Sequence, residues 1–252
     1  MMNRKHTSPV RLWAVLFWLA IWQLASMKLN QRILLVSPAE VLLCLAGLIK
    51  TAGFWLAVGF SSLRILSGFF LALFSGILYA ALSSRFRPVR ELLAPFVLTI
   101  KSVPVASFII LALIWFSSGS LSILISFLMV FPVIYTSMLG SLLHLDRQLL
   151  EMAEVFHITG IRRFRLISLP QLLPDFYSAC KISLGLCWKS GIAAEVIGLP
   201  SGSIGAALQQ ARIYLDTPEL FAWTLTIILY SLLFERIFLF FLKKLSSRLI
   251  LP

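Results

Sequence analysis

Acidic residues are scarce in this chain. Ten Asp and Glu stand against 22 Lys and Arg, a formal net charge of +12, and charged residues of both signs reach only 13% of 252 positions. Soluble domains carry about a quarter. In a soluble protein such a basic balance would suggest nucleic acid. Here the excess sits in short segments beside apolar runs, which is a topology signal, and no nucleic-acid partner is expected. Histidine is rarer still, with only His6, His144 and His157. No H-E-x-x-H pair and no G-x-S-x-G elbow occurs, so an intramembrane hydrolase lacks its ingredients. No G-x-x-x-x-G-K-[ST] phosphate loop occurs either, so the chain cannot hydrolyse ATP alone. The three cysteines, Cys44, Cys180 and Cys187, form no C-x-x-C pair. They read as small membrane-buried residues, with neither a disulfide framework nor a metal site.

What is abundant is apolar surface. Hydrophobic residues make up 60% of the chain, and mean hydropathy is +0.95. Lipid therefore solvates most of the protein, and about 20 apolar residues suffice for each crossing. The runs at 11–28, 54–82, 92–116, 121–142, 172–198 and 218–242 predict about six transmembrane helices in a single all-α domain over 1–252. The first run follows Arg4 and Lys5 as a signal peptide would. It continues past Ile21 without a small-x-small cleavage site and reads as an uncleaved span.

Basic residues set the orientation. With the N-terminus inside, thirteen fall on the cytoplasmic side: Arg4, Lys5, Arg11, Arg85, Arg87, Arg90, Arg147, Arg162, Arg163, Arg165, Lys243, Lys244 and Arg248. Four fall outside: Lys28, Arg32, Lys50 and Arg212. That bias predicts cytoplasmic termini and a cytoplasmic 143–171 loop. On the outer side, Ser37 and Pro38 open a short helix with Glu40 in its first turn.

Gly68, Ala72, Gly76 and Ala80 recur at four-residue spacing, a stripe that lets helix backbones approach closely. Ala179, Ser183, Cys187 and Gly191 repeat the device in the fifth run. Charges inside spans are costly, about 3 kcal/mol each. Lys101 with Pro104, and Lys189 with Glu195, are therefore candidates for a polar path biased toward anions. The plainer alternative pairs Lys189 with Glu195 as a structural ion pair, or with a helix end.

The 143–171 loop is longer than a turn needs to be. Leu149, Met152, Ala153 and Phe156 have helical spacing, Asp146 stands where a cap would, and Glu151 lies in the first turns. A second helical stretch covers 160–168 with Arg162, Arg163 and Arg165. Leu169 and Pro170 are expected to end it, bending the chain before the fifth span.

Glu151-Met152-Ala153, a spacer, then Ile167-Ser168-Leu169-Pro170 resembles the cytoplasmic loop of ATP-binding-cassette importer permeases. Further segments, Ser37-Pro38-Ala39-Glu40-Val41, Arg64-Ile65-Leu66-Ser67-Gly68, Lys101-Ser102-Val103-Pro104 and Ala193-Ala194-Glu195-Val196-Ile197-Gly198, look like the nitrate/sulfonate/taurine-type subfamily. The family usually has Gly where this chain has His157, and Ala where it has Met152. Gly would permit the sharp turn more cheaply, and Gly160 offers another place for it.

The resemblance implies a type I importer bundle with its permease core over 54–245 and a coupling helix in 143–171. It implies that Glu151, Met152, Ala153, Phe156, His157, Gly160, Ile167, Leu169 and Pro170 contact an ATPase subunit. The chain would be a non-catalytic subunit in a bacterial inner membrane and bind no cofactor. ATP and Mg would belong to two ATPase partners. A second permease copy and an external solute-binding protein complete the assembly. The solute would be a small polar or anionic compound: a sulfonate, nitrate, a taurine-like compound or a vitamin precursor. An ATP-independent secondary transporter or channel is the competing reading, and it leaves the arginine-rich loop without a purpose.

Overall fold

The structure, a computed structural model, describes residues 12–29, 31 and 33–250. Arg4, Lys5, His6, Arg11 and Arg32 lie outside them. Every regular element among the described residues is helical. In chain order these are α1 (Leu12–Leu29), α2 (Pro38–Leu48), α3 (Ala52–Arg85), α4 (Arg87–Ser102), α5 (Val105–Ala112) and α6 (Ser118–Leu143). They are followed by α7 (Arg147–Val155), α8 (Gly160–Arg163), a π-helical turn (Phe164–Ser168), α9 (Leu169–Gly198), α10 (Ile204–Ile213) and α11 (Thr217–Ile250).

The chain is an all-α membrane protein. In α3, α6 and the Thr217–Ser246 part of α11, a window long enough to cross a bilayer is sufficiently apolar. The bent pair α4–α5 makes a fourth span if its halves are taken together. The 30-residue α9 is long enough but carries Asp175, Lys181, Lys189 and Glu195.

One expected span is not a single helix. The run at 92–116 breaks after Ser102, and α4 and α5 meet at 104°. Pro104 is the cause. It disfavours helical backbone at the residue before it, and Val103 is extended at φ −87°, ψ 133°. Lys101 therefore ends a helix instead of lying in the middle of one, where a cation complements the C-terminal dipole.

The core is a three-helix contact of α3, α6 and α9, with α11 laid against α9, α10 and α2. Lipid gives helices no hydrophobic reason to associate, so close packing must hold them. Gly68, Ala72, Gly76 and Ala80 are all buried along α3. A Cβ on Gly68 would lie 2.8 Å from Ser126 Cβ and closer still to the Ile123 carbonyl oxygen. One on Gly76 would lie 2.9 Å from Ile134 Cγ2. The buried stripe on α9 meets α3 and α6 together: a Cβ on Gly191 would lie 2.6 Å from Ile65 Cγ1 and 2.7 Å from Ser126 Oγ.

Caps fix the short elements. Ser37 and Glu40 form a reciprocal capping box at α2, and Ser203 accepts from the Ala206 amide at 3.0 Å to start α10. α1 touches the rest through its C-terminal half. Trp22 donates to the Val36 carbonyl at 3.0 Å and stacks obliquely near Phe221.

Candidate functional site

The segment between α6 and α9 is a folded unit of its own. Asp146 caps α7 by accepting from the Gln148 amide at 2.8 Å. At the base, the Asp146 amide donates to Gln171 Oε1 at 2.9 Å, and Gln171 Nε2 donates to the Ile167 carbonyl at 3.0 Å. These bonds join the start of the loop to its end. Ala153 is fully buried and Ile167 nearly so, which seats α7 on the π-turn.

Two left-handed residues turn the chain between α7 and α8: His157 at φ +51° and Gly160 at φ +58°. The Ile158 amide donates to the Ala153 carbonyl at 2.8 Å, closing the helix end. His157 thus occupies a conformation that glycine adopts without strain, and an L residue pays roughly 1 kcal/mol for it.

Leu169 and Pro170 do not end the second helical stretch, contrary to the expectation from sequence. They begin α9, and Pro170 sits in its first turn, directly after the π-turn, so the chain stays helical through it. The 160–168 stretch is itself split, with α8 giving way to the π-turn at Phe164. Such turns occur frequently at functional sites.

The outward surface of this unit is apolar and uncovered. Met152, Val155, Phe156 and Ile161 are exposed, Phe156 to 69% and Ile161 to 85%. Glu151, Arg162 and Arg165 of the same unit are exposed as well, and Arg163 pairs with Glu154 at 3.4 Å. Exposed large apolar side chains among charged residues are what a docking surface looks like.

The path residues separate into two groups. Lys101, Pro104 and Lys189 are exposed. Lys101 Nζ donates to Thr136 Oγ1 at 3.3 Å, holding the end of α4 against α6. Lys189 makes no ion pair with Glu195, so the structural pairing weighed from sequence is absent. Glu195 faces inward instead: it is fully buried.

Ser61 on α3 donates to Glu195 Oε2 at 2.6 Å, Ser122 on α6 donates to Oε1 at 3.3 Å, and the Gly205 amide on α10 donates to Oε2 at 3.2 Å. Arg64, one turn from Ser61, is the charged neighbour of the carboxylate. Sequence reading missed Ser61, Ser122 and Gly205 as partners, because they lie far from Glu195 along the chain or supply only a backbone amide. A serine pair inside an apolar run, Ser61-Ser62, was the available signal.

Comparison with known proteins adds the family. Residues 68–251 match the family described as binding-protein-dependent transport system inner membrane component. A permease of Escherichia coli named for aliphatic sulfonates transport, SsuC, is 32% identical over 218 residues, covering 85% of this chain and 81% of its own. The taurine transport system permease protein TauC of Escherichia coli is 27% identical over 242 residues, covering 93% and 86%. The riboflavin transport system permease protein RibX of Chloroflexus aurantiacus is 28% identical over 150 residues, covering 58% and 54%.

Proposed function

Because the chain belongs to the family of binding-protein-dependent transport inner-membrane components, permeases of ATP-binding-cassette importers, we propose that it forms the solute path of such an importer and couples it to ATP hydrolysis on separate subunits. The observation that carries the coupling is the α7–α8 unit. Its base is pinned by Asp146 and Gln171, and its tip exposes Phe156 and Ile161. A stiff base with an apolar tip transmits displacement from a gripping partner into α6 and α9, the two helices it joins. α6 and α9 also build the core with α3, so that displacement reaches the whole bundle.

In this reading the chain is non-catalytic and binds no nucleotide. Two ATPase subunits dock on the loops at 143–171, a second permease copy completes the pore, and an external binding protein delivers the solute. Both termini and the loop lie in the cytoplasm of a bacterial inner membrane. The permease core spans 54–245. The solute is small and polar or anionic. Relatives named for sulfonates and taurine support an anion, and the exposed Lys101 and Lys189 supply cations toward it. The relative named for riboflavin keeps vitamin-like solutes within the class.

Reconstitution tests this. The permease, its ATPase and its binding protein in liposomes should take up a sulfonate or taurine only with ATP. Lys189→Glu should lower uptake of an anionic solute about tenfold or more while the complex still assembles, as expected for reversing the sign of a charge beside an anion. Uptake that proceeds without ATP would favour the secondary-transporter reading.

A further inference from the structure

Glu195 has no part in the coupling just described, yet it is the most buried acidic side chain in the bundle. Its surroundings are built from four elements. Oε2 accepts from Ser61 of α3 at 2.6 Å and from the Gly205 amide of α10 at 3.2 Å, and Oε1 accepts from Ser122 of α6 at 3.3 Å. Ser61 Oγ in turn accepts from the Ile204 amide at 2.9 Å. The first two amides of α10 are thus both held by one carboxylate–hydroxyl pair. Helix N-termini carry such unbonded amides, and burial makes leaving them unpaired expensive.

Packing enforces the same contact. α10 folds back on the end of α9 through Leu199, left-handed at φ +50°, and Gly202 at φ +71°. At the crossing a Cβ on Gly205 would lie 2.6 Å from the Val196 amide nitrogen, and nearer still to Glu195 Cβ. Backbone meets backbone there. Arg64 adds a positive charge beside the carboxylate, and one of its guanidinium nitrogens is buried without a partner. α10 has few other ties to α3 and α6.

We propose that Glu195 is the positioning residue that locks the start of α10, just beyond the α9–α10 turn, to α3 and α6, so that α10 moves with those helices as one body. This rests on the importer reading above, which puts α10 on the outer face, where a binding protein lands. Pressure on α10 then reaches α3 and α6 through Ser61 and Ser122 and not through a loose loop. Hydrogen-bond geometry, not net charge, makes the lock. Glutamine fits the same pattern: its oxygen can take the place of Oε2 toward Ser61 and Gly205, and its amide can donate to Ser122 Oγ.

The test is hydrogen exchange of the full permease–ATPase complex in lipid bilayers, comparing wild type with Glu195→Ala, Glu195→Gln and Ser61→Ala. Amides 203–207 should exchange about tenfold faster or more in Glu195→Ala and Ser61→Ala. They should stay near wild type in Glu195→Gln, with α3, α6 and α9 protected throughout. Unchanged exchange in both disrupted variants would overturn the proposal. So would acceleration across the whole bundle, which would make Glu195 a general support, and so would Glu195→Gln behaving as Glu195→Ala. A second arm measures ATP hydrolysis stimulated by the loaded binding protein. It should fall in Glu195→Ala and be restored in Glu195→Gln, with basal hydrolysis kept. If wild type shows no stimulation at all, the importer reading fails, and the exchange arm still decides the lock.

Discussion

The Asp146 amide and the Gln171 side-chain oxygen are 2.9 Å apart, although 25 residues separate them. This bond closes the base of the α7–α8 unit just where the chain leaves α6 and enters α9. Gln171 also donates to the Ile167 carbonyl, which stiffens the π-turn. Removing the side chain should loosen the unit without unfolding the bundle. Gln171→Ala is expected to keep expression and solute binding while lowering transport per ATP hydrolysed several-fold. Parallel measurement of uptake and hydrolysis in liposomes checks it, and an unchanged ratio counts against a stiff base.

His157 tests the turn. At φ +51° it bears a strain of about 1 kcal/mol that glycine would not. His157→Gly should therefore assemble and transport as wild type does. His157→Val should disrupt assembly with the ATPase, because a β-branched residue is strongly disfavoured there. Co-purification of both variants decides the matter; equal behaviour of Gly and Val would mean that the backbone conformation is unimportant.

Gly76 tests close packing. Its missing Cβ leaves room for Ile134, and Gly68 does the same two stripe positions away for Ile123 and Ser126. Gly76→Leu should cost about 1–3 kcal/mol by overpacking and reduce the yield of folded permease in detergent. Normal thermal stability in that variant would remove the argument that small residues hold α3 on α6.

Much of this fold can be read from residue spacing, and what cannot be read has a physical reason. Apolar length places α3, α6 and α11, and cap chemistry places α2 and α7 through Ser37 and Asp146. Proline is ambiguous. Pro104 accompanies a 104° break, whereas Pro132 and Pro174 stay inside α6 and α9, and Pro170, which by spacing should end the 160–168 stretch with a bend, lies in the first turn of α9. The difference lies in tertiary packing around each ring, which spacing does not encode. α10 is not legible from spacing, since Gly202 and Gly205 at its start and Pro218 beyond its end make the segment look like a loop. A charge in an apolar run suggests solute, which makes Glu195 a path candidate by sequence. Its donors Ser61 and Ser122 lie 134 and 73 residues away, and only the folded bundle brings them together.

The central claim is that an ATPase subunit grips the exposed tip of α7–α8. The most direct measurement is co-purification of the ATPase with permease carrying Glu151→Lys or Phe156→Asp, alongside wild type. The account predicts that the ATPase stays with wild type and is lost from both variants, while the permease itself remains folded. An ATPase retained by both variants, and by every other change across 147–165, would contradict it.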